Sequence, residues 1–142
     1  MLLSASMRSF WLLLESIYKI GGNLRGKILL DALLEADDEF KSAIVEVLGQ
    51  SKSVEAVPVL IDLLRERPLL ASASRAVLEE KICVALGAIG NPEAIGVLSE
   101  IAEVKSFLRL RTYPDKVKAA AARSLVILRE RVAESGESKR KA

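Results

Sequence analysis

The residue types that usually do chemistry are sparse here, and their spacing limits what they can do. The chain has 142 residues, one cysteine and no histidine. A lone cysteine makes neither an internal disulfide nor a cysteine-only zinc site, and the absence of histidine removes the commonest general base and metal ligand. Cys83 stands next to Ile82 on a helix-spaced apolar pattern, where a cysteine acts as a small buried hydrophobe rather than a nucleophile. Asp37-Asp38-Glu39 gathers three carboxylates. They directly precede the apolar run that starts at Phe40, and acids at that point complement the positive end of a helix rather than hold a cation. These residues assign no catalytic group, no metal site and no cofactor, so the chain reads as non-enzymatic.

Residues suited to binding are better represented. Two long connections, Arg65 to Ser74 and Lys105 to Pro114, carry apolar side chains flanked by arginines: Leu69 and Leu70 with Arg75, and Phe107, Leu108, Arg109 and Leu110 with Arg111. Arginine and aromatic residues are favoured at interfaces, and loops carry function, so Leu69, Leu70, Arg75, Phe107, Leu108, Arg109 and Arg111 form a candidate partner-binding edge. The competing reading has the leucines tucked under helix ends as local plugs. Charge supplies a second candidate. The net charge of +2 conceals eleven lysines and arginines against four acids from Lys105 to Ala142, and four against eight over residues 53–104. Lys105, Arg109, Arg111, Lys116, Lys118 and Arg123 form a basic set that would suit phosphate or an acidic partner, nucleic acid included. The alternative is a solvated helix face, because that set has no aromatic residues interleaved along its helix.

The elements that must position these residues are helices. Hydrophobic residues make up 51% of the chain, with many Ala and Leu and only four prolines, which suits closely packed helices and argues against disorder. Seven helical segments follow from periodicity and punctuation: Ser4 to Lys19, Asn23 to Glu35, Asp38 to Gly49, Val54 to Arg65, Ala76 to Ile89, Pro92 to Val104 and Asp115 to Val132. Asp37 and Asn91 are the expected N-caps, and Pro92 occupies a first helical position. Residues 134–142 lack apolar periodicity and read as a flexible basic tail. At the other end, the apolar run from Phe10 is cut by Glu15 with no small-residue cleavage site after it, so it reads as folded protein rather than a leader. No stretch has the ~20 apolar residues of a membrane span, and a cytoplasmic location is expected.

The pattern also repeats. Ile44 to Leu64 recurs 38 residues later as Ile82 to Ala102: Leu48-Gly49, Glu55-Ala56-Val57 and Val59-Leu60 return as Leu86-Gly87, Glu93-Ala94-Ile95 and Val97-Leu98. A period of roughly 20–50 residues marks stacked supersecondary units. The expected fold is all-α, with units at about 4–35, 38–66 and 76–104 and a half-unit at 115–132 inside one domain, 1–133. Leu48 and Leu86 would fill the core, while Gly49 and Gly87 allow close packing or a turn.

The segment Ala85-Leu86-Gly87-Ala88-Ile89-Gly90-Asn91-Pro92-Glu93-Ala94-Ile95, followed by Val97-Leu98, resembles the HEAT repeat in its short bacterial, phycobilisome-lyase-type form. The resemblance is strongest over 82–102, good over 44–64, partial from Lys116 to Leu128 and marginal before Leu33. It implies an α-α superhelix, an ARM/HEAT-type solenoid, of about three helical-hairpin repeats plus an unpaired C-terminal helix. It also implies a non-catalytic protein–protein interaction or scaffolding module, part of a larger protein or assembly. The alternative is a nucleic-acid-binding module using the basic C-terminal third. Lyase activity toward bilin chromophores, which the family name includes, has no catalytic signature here. Solenoids need polar caps, yet this chain opens on an apolar helix and closes on an unpaired one. It is therefore read either as a fragment of a longer repeat protein or as a chain that self-associates through the N-terminal helix.

Overall fold

The computed structural model describes residues 8, 12, 16, 22–66, 68, 71–103 and 113–141. Among them lie six α-helices and two 3-10 turns, with no strand: α1 (Gly22–Glu35), α2 (Asp38–Gln50), a 3-10 turn (Val54–Ala56) leading into α3 (Val57–Arg65), α4 (Ala73–Ile89), a second 3-10 turn (Pro92–Ala94) leading into α5 (Ile95–Glu103), and α6 (Asp115–Lys141). Arg8, Leu12 and Ser16 are also helical, inside the expected first helix.

Local chemistry accounts for the boundaries. Asp37 is extended and its carboxylate accepts from Phe40 N at 2.9 Å, and the Asn91 side chain accepts from Glu93 N at 2.9 Å, so both expected caps are formed. The two inter-helix turns repeat each other at the 38-residue shift. A left-handed residue comes first (Lys52, φ 53°; Gly90, φ 79°), then an extended N-cap (Ser53; Asn91), then the 3-10 turn. Glycine takes that left-handed backbone readily, whereas Lys52 takes it against its Cβ.

Two boundaries differ from the expected ones by about a turn or more. α4 starts at Ala73 rather than Ala76, because Ser72 caps it by accepting from Arg75 N at 3.1 Å. α6 runs to Lys141, past the tail expected from residue 134. No proline follows Pro114, and the one glycine, Gly136, costs only about 1 kcal/mol in a helix interior, too little to end it.

The helices form two layers. α2, α4 and α6 lie side by side, with α4 between the other two, while α1, α3 and α5 pack on α2, α4 and α6 respectively. The buried side chains, among them Leu33, Ile44, Leu48, Leu60, Leu64, Ile82, Leu86, Leu98, Val117 and Leu128, form one continuous core. α4 is buried on several sides because it touches α2, α3 and α6. The last helix has no second helix after it among the described residues, but it is seated against both α4 and α5.

The repeated Leu-Gly pairs set the spacing of the first layer. Leu48 and Leu86 are fully buried. A Cβ on Gly49 would stand 3.0 Å from both Cα and Cβ of Ala85, and one on Gly87 would stand 2.5 Å from Ser124 Oγ and 2.8 Å from its Cβ. Each glycine thus faces a small residue on the next first-layer helix. The second junction is also bonded, since Ser124 Oγ donates to the Cys83 carbonyl at 2.6 Å.

Candidate functional site

The two long connections are tied to one place. The last carbonyls of a helix have no partner within it. At the C-terminal end of α3, the Leu63 carbonyl accepts from Arg75 Nη2, and the Leu64 carbonyl accepts from the Tyr113 hydroxyl at 2.9 Å. Arg75 lies just beyond the first long connection and Tyr113 near the end of the second. The chain is therefore anchored at adjacent carbonyls of α3 just after the first connection and near the end of the second.

Arg75 itself departs from the expected partner-binding set. It is buried, at 6% exposure, with Nε 4.0 Å from the carboxylate of fully buried Glu79 one turn on. The cap at Ser72 starts α4 early enough to turn the guanidinium inward toward Leu63 and Glu79. A side chain so placed anchors the edge and is not open to a partner. Of the other edge residues, Leu69, Leu70, Phe107, Leu108, Arg109 and Arg111 lie outside the described residues. Tyr113 was not among the candidates taken from sequence. Its only sequence signal is an aromatic with a polar tip in a turn before a helix.

The basic set is divided. Lys105, Arg109 and Arg111 lie outside the described residues, Lys116 and Arg123 are exposed on α6, and Lys118 is half-buried. Lys116 and Arg123 share one strip of the helix, being seven residues apart, but the strip continues into exposed Glu130 and Glu134. The second layer is acidic on its exposed side: Asp31 and Glu35 on α1, Asp62 and Glu66 at α3, and Glu100 and Glu103 on α5, against Lys27 and Arg65. Two ion pairs cross this side, Arg65 to Glu100 at 3.9 Å and Arg129 to Glu103 at 3.0 Å. The Ser99 hydroxyl and then the Arg129 guanidinium hold the Glu103 carboxyl below its ordinary pKa.

Cys83 is fully buried, and its thiol is pushed up to about 12 by burial first, then by the carboxylates of Glu79 and Glu80. At neutral pH it is a thiol, the unreactive form. Asp37, Asp38 and Glu39 serve the start of α2, and among the described residues no group of three Cys, Asp or Glu converges as metal ligands would. An open cleft lies between the second inter-helix turn and the later part of α6, lined by Gly90, Pro92, Arg131, Val132 and Glu134. No helix among the described residues is long and apolar enough to cross a membrane.

Comparison with known proteins agrees with this geometry. The matched segment, residues 40–66, covers α2 from Phe40, the left-handed turn at Lys52, the 3-10 turn and α3. Neither the curated proteins nor the solved structures give a match. The matching family model is the PBS lyase HEAT-like repeat, and the segment it matches is the helical pair whose pattern returns 38 residues later.

Proposed function

We propose that this chain is a non-catalytic module that binds or scaffolds another protein, using the edge where its two long connections are anchored. One observation supports this above the rest: Arg75 and Tyr113 fix the ends of both connections to neighbouring carbonyls of α3. Two segments held at one edge offer a partner a composite surface, with less ordering to be done on binding. On this reading Leu69, Leu70, Phe107 and Leu108 supply the apolar contacts and Arg109 and Arg111 the polar ones, with Arg75 positioning the edge. The compartment is the cytoplasm.

The nucleic-acid reading is the weaker one. The exposed second layer is acidic over three successive helices, which repels phosphate, and the basic strip on α6 changes sign after Arg123.

The test compares the full chain with a variant carrying Leu69→Ser, Leu70→Ser, Phe107→Ser and Leu108→Ser, shown by circular dichroism to be folded. A defined protein retained from native extract by the wild type, and lost at least about tenfold by the variant, is the expected result. Retention unchanged by the four substitutions, or recovery of nucleic acid alone with steep loss as salt rises, overturns it.

A further inference from the structure

The first layer ends on an open face. The surface of α4 that carries Cys83 and Gly87 is covered by α6, as the surface of α2 at Gly49 is covered by α4. The corresponding positions on α6, 39 residues on, are Ala122 and Val126. Both are exposed, Val126 at 54%, and Ala119 and Ala133, one heptad either side of Val126, are exposed as well. Val126 occupies the place of the glycine notch, so another helix cannot approach α6 as closely as α6 approaches α4.

The charges flanking this face are segregated along the helix. Lys116 and Arg123 lie on its N-terminal half and Glu130 and Glu134 on its C-terminal half, all exposed and all on one side of the Ala119–Val126–Ala133 line. Neither Arg123 nor Glu130 is ion-paired among the described residues, unlike Arg129, which is bound to Glu103. In two helices packed antiparallel, the same flank of each meets across the interface. A strip that is positive in its first half and negative in its second is then complementary to itself.

We propose that the open face of α6 is an interface for a second copy of this chain, docked antiparallel about a two-fold axis beside Val126. Arg123 of each protomer faces Glu130 of the other, and Lys116 and Glu134 extend the same complementary strip outward. Val126 supplies the apolar contact at the axis and sets the separation of the two helices, with small Ala119 and Ala133 on either side of it. Closed two-fold pairing uses one patch on both copies, as a self-complementary strip requires. The proposal does not rest on the loop-edge reading, which concerns the two connections and not this face of α6.

Sedimentation equilibrium of the full chain over a wide concentration range tests it. A reversible dimer is expected, weakened by salt. Arg123→Glu alone and Glu130→Arg alone each place like charges opposite one another twice, and each is expected to raise the dissociation constant about tenfold or more. The double variant Arg123→Glu/Glu130→Arg restores the pairing with signs exchanged and should return the constant to near the wild-type value. Circular dichroism checks that all three variants are folded. A monomer at every concentration, a dimer indifferent to the single reversals, or a double variant no better than the singles overturns the proposal.

Discussion

At Gly87 one absent methyl group decides how near α4 and α6 lie. A Cβ there would stand 2.5 Å from Ser124 Oγ and 2.8 Å from its Cβ, and both atoms sit on a helix that cannot easily withdraw. Overpacking of this kind costs about 1–3 kcal/mol, against about 1 kcal/mol gained from alanine's better helix propensity. Gly87→Ala is therefore expected to lower the urea midpoint of unfolding, and Gly87→Ala with Ser124→Gly to recover part of the loss. Gly49→Ala, facing Ala85 at 3.0 Å, should be milder. A Gly87→Ala chain as stable as wild type would show that the junction has slack. The Leu-Gly pairs and the caps at Asp37 and Asn91 were readable in sequence, because each is a local pattern with a local physical cause. The inward turn of Arg75 was not readable, since the Leu63 carbonyl it meets lies twelve residues away and reaches it only through folding.

At the scale of elements, α3 and α4 are joined by a buried charge. Arg75 is 6% exposed and Glu79 fully buried, and the arginine also donates to Leu63 O. Removing one partner of a buried pair strands the other and typically costs about 3–5 kcal/mol, whereas replacing both with apolar residues is often close to neutral. Arg75→Leu should destabilise the chain by that order in urea unfolding, with Arg75→Leu/Glu79→Leu clearly more stable than the single variant. Equal destabilisation by the single and double variants would count against a clamp. The same site explains two limits of the sequence reading. Helix periodicity located α4 but not its first turn, because the Ser72 cap lies among polar residues that read equally well as loop. The length of α6 was missed for a related reason: a helix continues without an apolar face until something stops it, and nothing after Pro114 does.

For the molecule as a whole, contacts run between neighbours in two layers, and Cys83 sits at the junction of α4 and α6 with its carbonyl bonded to Ser124. Its thiol, fully buried and raised to about 12, reacts only when that junction opens. Labelling of the native chain by a thiol reagent at pH 8 is expected to run at least about a thousandfold slower than in urea, and to quicken in Gly87→Ala. A native rate like that of a free thiol would mean that α6 does not keep Cys83 covered. The matching junctions have one more consequence, in the language of construction. Gly49 with Ala85, and Gly87 with Ser124, are the same notch and peg used twice at nearly the same interval. A duplicated copy of the intervening unit would bring its own notch and its own peg, so the array can be lengthened by whole units without redesigning those surfaces, whereas Val126, standing in the notch position on α6, would hold any helix docked there farther off.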